Sequence, residues 1–156
     1  MRALSILIFL CAAATVPATA ATEFVRIWHE WRDADHFDRI SEYFTGEERL
    51  SRIPVLRTHR QSREGYYFTL HLKTDTAVPQ GKFVVEVIRP DHPEPKVYTF
   101  QASLPAKDTA LQLGLTGADW PGGRKASPVA WKISLHSADG KLLAEHKSFL
   151  WEKPAK

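Results

Sequence analysis

The stretch Gly65-Tyr66-Tyr67-Phe68-Thr69-Leu70-His71-Leu72-Lys73-Thr74 sets a large apolar residue at alternate positions. In an extended chain Tyr66, Phe68, Leu70 and Leu72 share one face, and Tyr67, Thr69, His71 and Lys73 share the other. A sheet with one buried face requires this alternation. The same period returns downstream at Phe83, Val85 and Val87, at Tyr98 and Phe100, and at Leu111, Leu113 and Leu115. Val129, Trp131, Ile133 and Leu135 then alternate with Lys132, Ser134 and His136.

The residues between these runs carry turn chemistry. Pro79-Gln80-Gly81, the segment from Pro90 to Pro95 and Pro121-Gly122-Gly123 read as turns or loops. Ser137-Ala138-Asp139-Gly140 reads as a hairpin connection, because Asp-Gly accepts the positive φ of a tight turn. The returning strand is expected over about 142–151. There His146 falls on the face of Leu142, Ala144 and Leu150, with Phe149 and Trp151 opposite, so either a bulge or burial on both sides is needed.

The N-terminal third follows a different rule. Glu23 to Trp31 reads as a strand with Val25, Ile27, His29 and Trp31 on one face. Phe37, Ile40 and Phe44 fall at i, i+3 and i+7, which predicts a short helix capped by Asp35 and ending before Gly46. Asp38 then meets the positive end of the helix dipole. So short a helix is unstable alone and must pack across a sheet or plug its open end. Residues 53–60 are expected to form a strand of mixed parity.

The fold class expected is all-β: an antiparallel two-sheet sandwich of immunoglobulin or fibronectin-III type, with seven or eight strands and one short N-terminal helix. A small barrel is the alternative. Strands do not alternate with long helices, which argues against a parallel α/β fold.

Residues 1–20 read as a cleaved signal peptide. Arg2 gives the charged start, Ala3 to Val16 an apolar run, and Ala18-Thr19-Ala20 the small residues of a cleavage site. Cys11 lies inside the apolar run behind Leu10, which speaks against lipidation. Of the 156 residues, positions 21–156 then form a single sandwich domain, and no later segment is apolar enough to span a membrane. The leader takes with it the only cysteine and the only methionine, and the chain has no asparagine. A domain of this length can bury enough surface to hold without disulfides. An exported, disulfide-free domain fits a bacterial envelope, in the periplasm or outside the cell. Loss of Arg2 lowers 21 Lys+Arg to 20 against 18 Asp+Glu, and this balance gives no case for nucleic acid.

Three segments hold the candidate chemistry. Arg49, Arg52, Arg57, Arg60 and Arg63 fall within fifteen residues that lack Asp and Glu, with His59 among them. The planar guanidinium fork suits sulfate, phosphate or carboxylate. Asp119, Trp120 and Arg124 lie in a turn-rich segment, where Trp120 is the best candidate for an exposed ring able to stack on a sugar. The third is Trp28 to His36, "WHEWRDADH". His29, Asp33, Asp35 and His36 could serve a metal-assisted hydrolase, but the pattern lacks the second histidine of HExxH, and alternation puts His29 and Glu30 on opposite faces. This stretch reads first as the handover from strand to helix. There is no Gly-rich phosphate loop, no G-x-S-x-G elbow and no mature cysteine. The expectation is therefore a non-catalytic domain without cofactor that binds an envelope protein or an anionic polysaccharide. The alternatives are the metal-assisted hydrolase and a structural module that pairs by strand addition.

Overall fold

The computed structural model describes residues 21–37 and 53–152. Eight strands form two four-stranded sheets. In chain order they are β1 (Thr22–Arg32), β2 (Val55–Arg57), β3 (Gly65–Thr74), β4 (Val78–Arg89), β5 (His92–Leu104), β6 (Thr109–Thr116), β7 (Ala130–His136) and β8 (Leu142–Lys147). One sheet has the order β1-β3-β6-β2 and the other β5-β4-β7-β8. Two separate sheets, rather than one closed on itself, make this a sandwich and not a barrel.

The alternating residues build the core. Tyr66, Phe68, Leu70, Leu72, Leu111, Leu113 and Leu115 come from the first sheet; Phe83, Val85, Val87, Tyr98, Phe100, Ile133 and Leu135 come from the second. These side chains join one buried cluster, which supplies the main driving force for folding. Trp131 joins them, whereas Val129 lies outside its strand and is exposed.

Several local expectations are corrected. The sheets are not wholly antiparallel, because β2 runs parallel to β6, with Val55 opposite Gln112 and Arg57 opposite Gly114. Pro79-Gln80-Gly81 does not turn the chain. It forms a break in register within β4, where Gln80 takes φ 53°. The expected loop from Pro90 to Pro95 shrinks to a tight turn closed by the Arg89–His92 pair. Pro93 and Pro95 lie inside β5, which tolerates them because β5 is an edge strand. In β1 the register shifts between Phe24 and Arg26, so Val25 is exposed instead of sharing the inner face with Ile27.

The expected strand 142–151 ends at Lys147, and a 3-10 turn occupies Phe149–Glu152. Ser148 makes the stop: its Oγ accepts from Trp131 N at 2.9 Å and its N donates to Trp131 O at 2.8 Å. The parity problem is solved by a bulge, since Leu135 faces Ala144 but His136 faces Leu142. The 137–140 hairpin forms as expected, with Gly140 at φ 86° and Ser137 N donating to Lys141 O at 2.9 Å.

After β1 the chain enters a 3-10 turn, Asp35–Phe37, where the described residues of this segment end. Asp33 Oδ1 accepts from His36 N at 3.0 Å and fastens this turn, while the helix expected beyond Phe37, with its cap by Asp35, lies outside the described residues. Asp38, Ile40, Phe44 and Gly46 lie outside the described residues, as do Arg49 and Arg52. Phe37 packs on Tyr67 across the outer face of the first sheet, with ring centroids 4.8 Å apart.

Candidate functional site

The candidate segments meet at one end of the sandwich. The end of β1, the 58–64 loop before β3, the β4–β5 turn and the long loop between β6 and β7 all lie there. His59 Nε2 stands 3.0 Å from Asp119 Oδ2, which joins the arginine-rich segment to the Asp119–Arg124 loop. Arg124 in turn lines a small cleft of about 150 Å³ with Glu30, Trp31, Arg32, Asp33 and His36. Three segments separated in sequence thus share one surface.

His59 is held before its ring acts. Thr116, fully buried at the end of β6, accepts from His59 N at 3.0 Å and donates its hydroxyl proton to His59 O at 3.0 Å. Thr58 repeats this contact in reverse, its hydroxyl oxygen accepting from Thr116 N at 3.0 Å. The loop is therefore pinned to β6 through both directions of main-chain hydrogen bonding, as buried backbone groups require.

Asp119 is positioned from the other sheet. Arg89 Nη1 donates to the Asp119 carbonyl at 3.1 Å, and the Tyr98 hydroxyl donates to the same oxygen at 3.3 Å. Arg89 Nη2 pairs with Asp91 at 3.1 Å. Arg89 is only 8% exposed, and its Nε is buried without a hydrogen-bond partner. Burial raises the Tyr98 hydroxyl pKa, with Asp119 adding to the rise, so Tyr98 stays protonated as a donor. Neither Arg89 nor Tyr98 was among the sequence candidates. Parity could have found Arg89, which continues the inward series Phe83, Val85, Val87 as a charge on an apolar face.

The arginines divide by role. Arg57 Nε donates to the Tyr67 hydroxyl at 2.9 Å, and its guanidinium lies 4.8 Å from the Phe37 ring centre. Tyr67 donates to the Arg63 main-chain carbonyl, so the Arg57 side chain and the Arg63 backbone both hold the Tyr67 hydroxyl on the outer sheet face. Arg60 and Arg124 are exposed and make no hydrogen bond or ion pair to any described residue. Arg60 also borders a groove of about 610 Å³ between the β2 and β5 edges, lined by Val55, Leu56, Thr99, Phe100 and Gln101.

Trp120 corrects an expectation. It is 4% exposed, its ring lies 4.6 Å from that of Tyr66, and its indole N–H donates to Gly123 O at 3.2 Å. This tryptophan pins the 117–126 loop onto the core end and presents no face for a sugar. Its edge borders a cavity of about 190 Å³ shared with Arg89, Asp91 and Ala126.

The four residues of the metal alternative do not converge. His29 is partly desolvated but still exposed on the edge strand, its Nδ1 2.7 Å from the Tyr66 hydroxyl and its ring 5.4 Å from that of Trp131. Desolvation by these neighbours lowers its pKa. Asp33 caps the 3-10 turn and His36 lies edge-on to Phe37 at 5.2 Å. Among the described residues, no group of three or more His, Cys, Asp or Glu side chains could hold a metal ion. Glu30 points away from His29 and pairs with Arg32 at 2.8 Å.

The class defined by fold and site is a two-sheet β-sandwich with a polar, arginine-bearing end. No protein-family model matches the chain, and no curated protein matches it in sequence. Among the described residues no helix is long and apolar enough to cross a membrane.

Proposed function

We propose that this chain is an exported, immunoglobulin-like domain of the bacterial cell envelope. In this reading it binds an anionic partner, an acidic polysaccharide or the acidic face of a protein, at the end that carries His59, Asp119 and Arg124. The immunoglobulin-like reading draws support from topology. With β2 set aside, the orders β1-β3-β6 and β5-β4-β7-β8 correspond to strands A-B-E and C′-C-F-G of that architecture. Loops at the end of such a sandwich are the common place for recognition. Export rests on the leader-like residues 1–20.

The observation that carries the binding reading is the pairing of a fixed scaffold with two uncommitted guanidinium groups. Thr116, Arg89 and Tyr98 hold the loops, while Arg60 and Arg124 are exposed and make no hydrogen bond or ion pair among the described residues. Salt-bridged surface arginines would have little left to offer a ligand; these two do not carry that burden. The test is retention of polysaccharide and protein fractions of the envelope by immobilised protein, compared with the Arg60→Gln/Arg124→Gln variant. At least tenfold weaker retention by the variant, with an unchanged melting temperature, is expected from losing charged hydrogen bonds of about 1.5–3 kcal/mol each. Equal retention, or none by either protein, would remove the proposal.

One observation favours strand addition as a second reading. Beyond Pro95 the outer edge of β5, unpaired among the described residues, runs from Lys96 to Leu104, Val97 on it is 60% exposed, and the 610 Å³ groove opens beside it. A partner strand added there would be blocked by Val97→Pro and left untouched by Arg124→Gln, since Arg124 lines a different cleft.

A further inference from the structure

The start of β1 carries a contact that the sequence does not foreshadow. Ala21 N donates to Asp75 Oδ2 at 3.2 Å, and Asp75 N donates back to Ala21 O at 3.2 Å. The pair closes the β1–β3 ladder one step beyond Thr22 and Thr74. Asp75 has a firm base, because Thr74 is buried and its hydroxyl lies 2.6 Å from Pro105 O and 3.1 Å from Lys107 O. β1 needs such an anchor. Among the described residues it is an edge strand whose one ladder partner is β3, and strand ends of this kind fray.

We propose that Ala20–Ala21 is a processing site and that Asp75 is the counter-ion of the α-ammonium group which cleavage creates on Ala21. The inference rests on the export reading given above. A leader peptidase hydrolyses the amide: water adds across the Ala20 C–Ala21 N bond, Ala20 leaves as a carboxylate, and Ala21 N takes the protons to become an ammonium. Before cleavage the Ala21 nitrogen offers Asp75 one uncharged N–H. Afterwards the same nitrogen, at the same place, offers a full positive charge. Processing thereby converts a neutral hydrogen bond into a charge-assisted one, which is the stronger kind. The strand so fastened also carries Glu30, Arg32 and the Asp33 cap at its other end, next to the candidate binding surface.

Other charges stand nearby. Glu23 lies opposite Lys73 in the next ladder pairs, and Asp139 and Lys141 of the β7–β8 turn line a cleft with Thr22 and Thr76. Lys107 follows the Pro105 carbonyl that holds Thr74. Opposite signs are mixed among them, and among the described residues only Asp75 is hydrogen-bonded to the Ala21 nitrogen.

The sign of the pH effect follows from which form is favoured. In this proposal the Asp75 carboxylate favours the charged form of the amine, whose ordinary pKa is about 7.7–8.0. The stabilisation is therefore complete below that value and disappears as pH rises through the folded-state pKa. The full chain, leader included, is expressed in a bacterial host and recovered from its envelope, alongside Asp75→Asn. Asparagine keeps an acceptor oxygen but loses the charge. Intact mass and N-terminal sequencing should give Ala21 as the first residue. The melting temperature of the wild type should exceed that of Asp75→Asn by about 1–3 °C at pH 6.5, and the two should converge by about pH 10. A chain with two residues added before Ala21 should show no such convergence. A first residue other than Ala21 overturns both the cleavage site and the ion pair. A first residue of Ala21 with a pH-independent difference, or with none, overturns the ion pair and leaves export standing.

Discussion

Replacing Gly114 by alanine should destabilise the domain through one ring. A Cβ built on Gly114 would fall 2.4 Å from Tyr67 Cε1 and 2.9 Å from Cδ1 and Cζ. Tyr67 sits opposite Gly114 in the β3–β6 ladder, on the outer face of the sheet, and is fully buried. The ring cannot swing aside cheaply, since its hydroxyl holds the Arg63 carbonyl and the Arg57 guanidinium, and Phe37 packs against it. Overpacking of this kind costs about 1–3 kcal/mol. Against it stands the lower entropy of the unfolded alanine chain, worth about 0.4–1 kcal/mol. Strain wins, by about 1–2 kcal/mol, or about 3–8 °C in melting temperature for a domain of this size. Urea and thermal melts of Gly114→Ala would read this directly. In a Tyr67→Ala background the clash is gone, so the same glycine change should become neutral or mildly stabilising. Equal destabilisation in both backgrounds would place the cause in the backbone and refute the account of Tyr67 as a lid over Gly114.

Three further outcomes follow from the same structure. Trp120→Ala should cost about 3–5 kcal/mol in a urea melt, the price of a buried aromatic, where an exposed sugar platform would cost under 1. Because burial lowers the His29 pKa, the folded state binds fewer protons there than the unfolded chain does. Wild-type stability should therefore fall as pH drops through about 6.5, and the fall between pH 7.5 and 5.5 should be shallower in His29→Gln. A slope unchanged by that substitution would exclude His29 as a source of acid sensitivity. His59→Ala should shift stability by less than about 1 kcal/mol, because the His59–Asp119 pair is partly exposed, while Thr116→Val, which strips both contacts to the His59 backbone, should cost more.

Legibility of the fold tracked the number of residues that one local rule governs. The strands around Tyr66, Phe83, Leu111 and Ile133 each repeat an apolar residue several times at period two, so their inner faces were readable without tertiary knowledge. The Asp139-Gly140 hairpin was readable because its chemistry is contained within four residues. β2 was expected as a strand within 53–60, but its short extent and its direction were hidden, since three residues carry no period and its parallel partner β6 is more than fifty residues away. The exit of the chain from β8 was hidden for a related reason. Leu150 and Trp151 look like strand residues until Ser148 is seen bonding to Trp131.

The candidate site was legible as segments and illegible as a surface. Alternation separated Arg57 from Arg60, and the structure sends Arg57 over Phe37 while Arg60 stays in solvent. Nothing local joins His59 to Asp119, which lie sixty residues apart. Trp120 looked exposed because proline and glycines surround it, yet exposure depends on what the loop folds against, here Tyr66. Arg89 shows the converse. Its inward parity was present in the sequence, and a charge on an apolar face marks a buried structural contact as often as a site.

The most direct test of the account is to map the bound envelope fraction onto the protein by amide chemical-shift perturbation. The account predicts shifts concentrated at residues 33–36, 57–63 and 117–126, lost together in the Arg60→Gln/Arg124→Gln variant. Shifts centred on the opposite end, at residues 75–79 and 137–143, or unaffected by the loss of both arginines, would contradict it.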